Sequence, residues 1–113
     1  MKDDIIYLRH ILECIVRIEE HVVAGRDTFF ASHTLQDATL RNLQTMTEAT
    51  QRLSDSTKAA HPHIPWQQIG AFRNVLVHNY LGIDLEQVWT IIHRDIPPLK
   101  QAVAALLATD SAP

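Results

Sequence analysis

Residues 71–82 read AFRNVLVHNYLG, a run of Phe, Val and Leu interrupted by Arg73, Asn74, His78 and Tyr80. A polar side chain on a packed helix costs free energy unless it finds a partner or stays hydrated. The stretch falls in a predicted helix that starts at Pro65, where a missing N–H costs nothing, and ends near Gly82. At roughly 3.6 residues per turn, Asn74 and His78 lie about 40° apart and Arg73 and Tyr80 about 20° apart. Arg73 and His78, however, are separated by about 140°. They converge if the helix loosens near His78, if Arg73 reaches across, or if a second copy of the helix supplies the missing partner.

Outward from this stretch the chain keeps reading as helix. Asp3 or Asp4 opens a first helix that runs to Ala24, with Gly25 as its stop. Its stripe of Ile5, Leu8, Leu12, Ile15, Glu19 and Val22 is apolar except at Glu19. Arg26 to Phe30 is a connection, with Phe29 and Phe30 folded back on the core. Ser32 caps a second helix to about Leu53, whose shared face is Leu35, Ala38, Asn42, Met46, Ala49 and Leu53, with Leu43 at its margin. Ser54 to Thr57 breaks the pattern, and Lys58 to Ile64 is a loop. Asp84 caps a fourth helix to about Arg94. Asp95-Ile96-Pro97-Pro98 restarts a fifth that ends near Ala108, with a frayed tail from about Thr109. The expectation is an all-α, up-down bundle of four to five helices, one domain over residues 1–113.

The bulk numbers point the same way. The 113 residues are 46% hydrophobic and 20% charged, a globular composition, and 3 Gly and 5 Pro are too few for many tight turns. No run approaches the length of a membrane span, and the acidic start Met1-Lys2-Asp3-Asp4 is unlike a signal peptide. The single cysteine, Cys14, reads as a buried core residue, which fits a reducing cytoplasm. A formal net charge of −3 argues against a broad basic surface for nucleic acid, but not against a small local groove.

The polar residues of the third helix have two readings. One is structural: a network in which His78 caps its own helix and Tyr80 is a core ring with its hydroxyl at the rim. The other is chemical. A two-fold axis beside this helix would bring two Arg73 and two His78 into one cleft. The His78 pair would supply a general base and a general acid near neutral pH. Arg73 would hold a phosphate bidentately and stabilise the charge developing on it. These groups suffice to cleave RNA with its own 2′-hydroxyl as nucleophile, with no metal or other cofactor required.

Arg73, four residues, His78, one residue, Tyr80 is an R-x4-H-x-Y pattern, and its flanks extend it. Leu40-Arg41-Asn42-Leu43-Gln44 with Glu48-Ala49, then His61-Pro62-His63-Ile64-Pro65-Trp66, precede the stretch. Leu81-Gly82-Ile83-Asp84-Leu85, Val88-Trp89 and Asp95-Ile96-Pro97 follow it. Together, over residues 3–107, they resemble the HEPN superfamily, and within it the HepT toxins paired with minimal nucleotidyltransferase (MNT) antitoxins. Two positions depart from that pattern: Asn79, where Asp is frequent, and Thr47, where Gly is common. The resemblance implies a HEPN-fold homodimer whose cleft combines both protomers' motifs. It implies a metal-independent endoribonuclease that cleaves tRNA or mRNA and leaves 2′,3′-cyclic phosphate ends. By position it makes Arg73 and His78 catalytic, Asn74 supporting, and Tyr80 the residue to which the antitoxin adds AMP, blocking RNA entry by charge and bulk.

Two copies carry twice −3, so RNA has to be drawn to a local patch. Arg41, Arg52 and Lys58 either border the cleft with Arg73 or are solvated helix surface, and Arg41 alternatively joins Glu48 in a salt-bridge network. His61-Pro62-His63 has no Cys or acidic ligand at zinc-site spacing, so no metal site is expected there. His10, His21, His33 and His93 read as helix-surface or helix-end residues. Trp66 and Trp89 read as core or dimer-interface anchors, with base stacking as the alternative for Trp66. The competing function is a non-catalytic helical module that binds a nucleotide or a nucleotidyltransferase. Modules of that kind tend to lack the complete Arg and His pair. A plain dimerisation adapter would leave the opening stretch unexplained.

Overall fold

Local side-chain chemistry sets the helix ends in the computed structural model, which describes residues 2–78 and 82–111. In chain order the helices are α1 (Lys2–Val22), α2 (Arg26–Ala31), α3 (His33–Gln51), α4 (Asp55–Ala59), α5 (Trp66–His78), α6 (Leu85–Arg94) and α7 (Ile96–Ser111). No strand occurs among the described residues, so the protein is all-α. Gly25, at a φ of 100° that side-chain-bearing residues avoid, ends α1 and donates its N–H to the Val22 carbonyl. Ser32 Oγ accepts from the Leu35 N–H at 3.1 Å and starts α3. Asp84 Oδ1 accepts from the N–H groups of Glu86 and Gln87 at 3.0 and 3.4 Å and starts α6. Pro97 has no N–H with which to continue α6, so the helix breaks at Asp95 and α7 begins.

Two short helices stand where the sequence suggested connections, and each is held by a side chain from outside it. Gln36 Nε2 donates to the carbonyls of Phe29 and Phe30, both at 3.1 Å, satisfying the end of α2. The start of α4 is held by Asp4, which is 3% exposed. Its Oδ1 accepts from the Ser54 N–H at 2.9 Å, and its Oδ2 from Ser54 Oγ and Thr57 Oγ1 at 2.7 and 2.6 Å. The last helix also differs from expectation, continuing through Thr109 to Ser111.

The contacts fix how the long helices run. Asp4 meets Ser54 and Cys14 meets Thr45, at 3.3 Å between Sγ and Oγ1, so the α3 partner falls back as α1 advances. α1 and α3 are therefore antiparallel, and α3 packs on α5 along its length as well. The other side of α1 takes α7, where Lys100 Nζ reaches Glu19 at 3.0 Å. The core lies between these layers: Leu8, Ile11, Cys14, Ile15 and Ile18 from α1 meet Leu43, Met46 and Ala49 from α3 and Val88, Leu99 and Val103 beyond.

This corrects the phase of two expected stripes. In α1 the buried line runs through Ile11 and Ile18, while Leu12 and Val22 are half-buried and Glu19 is exposed. In α3, Leu43 is fully buried at the centre with Thr39, Thr47 and Thr50. Asn42 sits at the margin, its Nδ2 donating to the Ala38 carbonyl at 2.9 Å.

Burial pushes the Asp4 carboxyl up, but hydrogen bonds from Thr57 and Ser54 outweigh it and hold the group below the usual carboxylate value. A lowered folded-state pKa contributes stability that is complete above the unfolded value and is lost as pH falls through the folded one. Asp4→Ala removes three hydrogen bonds and should cost about 2–3 kcal/mol at pH 7. The gap from wild type should narrow below about pH 4. Urea unfolding at neutral pH and near pH 3 measures both, and a constant gap would overturn the account.

Candidate functional site

α5 carries the chemistry-bearing residues and divides into two sides. Ile69, Phe72 and Leu76 are buried in the core. Gln68, Ala71, Phe72 and Val75 form one wall of a groove of about 270 Å³, completed by Leu43, Met46 and Thr47 of α3, by Gln87 and Ile91 of α6, and by Ile96 and Leu99 of α7. Arg94 and Asp95, joined by an ion pair at 3.0 Å, stand at its edge. Arg73 lies off this wall, about 160° round the helix from Val75. The Cα position of His78 is about 20° from that of Ala71, and so belongs to the groove side. α5 is continuous to His78, so no loosening before that residue closes the angle to Arg73. Tyr80, Asn79 and Leu81 lie outside the described residues, as does the side chain of His78.

Arg73 is turned towards α3. Its NH2 is 3.7 Å from Glu48 Oε1, and both side chains are about one-third exposed, at 33% and 39%. Its NH1 donates to Asn74 Oδ1 at a long 3.4 Å. Its Nε is buried and has no hydrogen-bond partner. Gln44 Nε2, one turn before Glu48, donates to the same Oε1 at 3.4 Å. The guanidinium is thus placed by an acidic neighbour and a carboxamide, with terminal N–H donors left for an oxyanion such as a phosphate. Asn74 itself is exposed.

The other residues singled out in the sequence are not all drawn to this point. Arg41 and Arg52 are exposed, and Lys58 is half-buried in α4. None of the three forms an ion pair among the described residues. Glu48 pairs with Arg73 and not with Arg41, so the expected Arg41–Glu48 bridge is replaced by one between α3 and α5. Trp66 is half-buried, with its indole N–H shared between the carbonyls of Lys58 and His61 at 3.0 Å each, which anchors the loop. Cys14 is 1% exposed, as read. His61 and His63 have ring centres 5.7 Å apart, and no group of three or more metal-ligating side chains occurs among the described residues. No helix among the described residues is long and apolar enough to cross a membrane.

Glu48 is the member of this cluster whose partner the sequence did not reveal. The usable signal was Gly70, a residue that weakens a helix interior unless another helix comes close. A Cβ at Gly70 would lie 3.3 Å from Gln51 Nε2 of α3. As Gln51 faces Gly70, so Glu48, one turn back, faces Arg73, one turn on. α3 and α5 are antiparallel, and their separation sets the reach of the ion pair.

A family model described as Ribonuclease HepT-like matches residues 11–106. The chain is 38% identical over 107 residues to a protein of Methanocaldococcus jannaschii named for a gamma-glutamylcyclotransferase and an inferred RNase. That match covers 94% of this chain and 48% of the relative, so the chain spans about half of that protein's length. It is 35% identical over 96 residues to a protein of Thermococcus cleftensis named ribonuclease HepT, the activity again given as inferred, covering 83% of this chain and 86% of the relative. An inferred RNase of Caldanaerobacter subterraneus is 32% identical over 102 residues, covering 89% and 91%. No solved structure matches significantly.

Gly70→Ala tests the α3–α5 approach. The neighbouring atom is the free end of an exposed Gln51 side chain, which has room to move aside. The substitution should therefore raise stability by about 0.5–1 kcal/mol through helix propensity. A lowered urea midpoint would show that the two helices admit no methyl group there.

Proposed function

The chain belongs to the HepT-like ribonuclease family, and from that premise we propose that it is a metal-independent endoribonuclease with a composite site made by two copies. The observation that carries this reading is the arrangement on α5: Arg73 is turned towards α3 with terminal N–H groups to spare, and His78 stands at a position about 140° away. One helix does not aim both groups at one phosphate. Two copies related by a two-fold axis do, because each supplies what the other lacks.

In the proposed reaction His78 takes the proton from the RNA 2′-hydroxyl, whose oxygen attacks the adjacent phosphorus. The P–O5′ bond breaks, and the partner subunit's His78 protonates the leaving 5′-oxygen. The products are a 2′,3′-cyclic phosphate and a 5′-hydroxyl, with no redox change and no metal. Arg73 stabilises the negative charge that grows on the phosphoryl oxygens, and Asn74 steadies its NH1. Arg41, Arg52 and Lys58 supply positive charge on a chain of net charge −3, drawing tRNA or mRNA to the cleft.

The reading extends to control. As the toxin of a cytoplasmic toxin–antitoxin pair, the protein is silenced by an MNT antitoxin that transfers AMP from ATP to the Tyr80 hydroxyl, releasing pyrophosphate. The added phosphate places fixed negative charge beside the Arg and His groups and competes with the RNA backbone for them.

RNA cleavage by the purified, unmodified protein in excess EDTA tests the activity. Wild type should cleave, and His78→Ala and Arg73→Ala should each lose about 100-fold or more while keeping the helical far-UV spectrum. An inactive wild type of confirmed unmodified mass would favour a non-catalytic module that binds a nucleotide or a nucleotidyltransferase. Tyr80→Phe should keep cleavage within about 10-fold and escape the antitoxin. A Tyr80→Phe protein still silenced by AMP transfer would remove Tyr80 from the scheme and leave Tyr7.

A further inference from the structure

We infer that Glu48 is a positioning residue for Arg73: from α3 it holds the guanidinium of α5 in the orientation from which Arg73 meets a phosphate. For the reaction it serves, this rests on the ribonuclease reading above; for the side chain's placement, it rests on geometry alone.

Three observations carry it. The Glu48–Arg73 approach of 3.7 Å is an ion pair but too long for a strong hydrogen bond, and it is partly exposed. Such a pair contributes at most about 1 kcal/mol, too little to support the fold but enough to shift the preferred orientation of one side chain. Next, the Oε1 that faces Arg73 also accepts from Gln44 Nε2 at 3.4 Å, so Glu48 is itself oriented from its own helix before it meets Arg73. Finally, the Arg73 Nε is buried without a partner, although NH1 and NH2 both have neighbours. Nε and one terminal nitrogen form the edge that grips a phosphate or carboxylate with two parallel hydrogen bonds. Here Nε is closed to solvent, so a phosphate meets the terminal NH1 and NH2 groups, each of which carries a second N–H, and a loose carboxylate points them without occupying both. A closer one would make a bidentate pair itself and leave the substrate fewer donors.

The functional consequence follows from when the charge appears. A donor already aimed at the phosphoryl oxygens stabilises the transition state without reorganising during the reaction. RNA held mainly by its other backbone contacts should still bind when that aim is lost. Loss of Glu48 should therefore lower kcat and spare KM.

The test has two readouts, one of them independent of any nuclease activity. The first is the {1H}–15N nuclear Overhauser effect of the Arg73 Nε–H, identified by its absence in Arg73→Lys. This signal should be that of an ordered side chain in wild type and of a mobile one in Glu48→Ala. Equal order in both proteins overturns the inference, whether or not the protein cleaves RNA. If wild type fails to cleave but the signal behaves as stated, the ribonuclease reading fails and the positioning stands.

The second readout is cleavage kinetics. Glu48→Ala should reduce kcat about 10-fold with KM within about 3-fold. Glu48→Gln removes the charge that acts across 3.7 Å and should stay within about 3-fold of Glu48→Ala. In an Arg73→Lys background, Glu48→Ala should cost less than about 2-fold more, because the group it positions is already gone. A Glu48→Ala loss that persists undiminished in that background assigns Glu48 a role separate from Arg73 and overturns the proposal.

Discussion

Everything in this fold depends on α3 being packed from two sides at once. α1 lies along one flank and α5 along another, so the helix between them has little perimeter to give to water. Four of its buried residues are nonetheless polar: Gln36, Thr39, Thr47 and Thr50. Thr47 and Thr50 resolve the conflict locally by donating to the carbonyls three residues earlier, at 2.9 and 2.7 Å. A hydroxyl so satisfied packs like a small branched hydrocarbon, and the neighbours can come close. Threonine is a modest helix former, at roughly 0.5 kcal/mol worse than alanine, and burial of α3 on both flanks offsets that.

Two-sided packing also explains which parts of the fold were legible in the sequence. Helix ends were, because Ser32, Asp84, Gly25 and Pro97 act on backbone groups close by in the chain and need no distant partner. The phase of the buried stripes was not. In α3 the pattern of large apolar residues ran through Asn42, whereas the structure centres on Leu43 with threonines beside it. Threonine counts as polar in a periodicity and as core in a helix that satisfies its hydroxyl internally. In α1, Ile11 and Ile18 lie beside the stripe that was read because two neighbours, α3 and α7, widen the buried arc beyond a single line. The short helices α2 and α4 were invisible for a related reason. Gln36, six and seven residues beyond the carbonyls it holds, and Asp4, 50 residues before Ser54, lie outside the segments whose turns they stabilise.

The candidate site shows the same division. Arg73, Asn74 and His78 were conspicuous as polar residues in an apolar run, and their angular relations follow from helix geometry alone. Glu48 was visible only as a charge on another helix, and its natural pairing by spacing was Arg41. Which partner it takes is settled by the register of α3 against α5, a tertiary quantity. Gly70 was the one local trace of that register, since it lets the helices approach where Gln51 passes.

In the proposed reaction, the separation of Arg73 from His78 becomes a means of control. A continuous α5 fixes the angle, and the α3 contact draws Arg73 away from the groove side on which His78 is placed. An isolated copy is then chemically incomplete however well it folds. The simplest surface that completes it carries the same two groups in the opposite order, which is what a two-fold axis provides, and the one cleft that results serves both chains. Activity would depend on assembly as well as on the groups themselves. A modification at Tyr80 need only spoil one shared cleft to silence two chains. On that proposal the polar residues of α5 are halves of one site, completed by the same residues of a second copy.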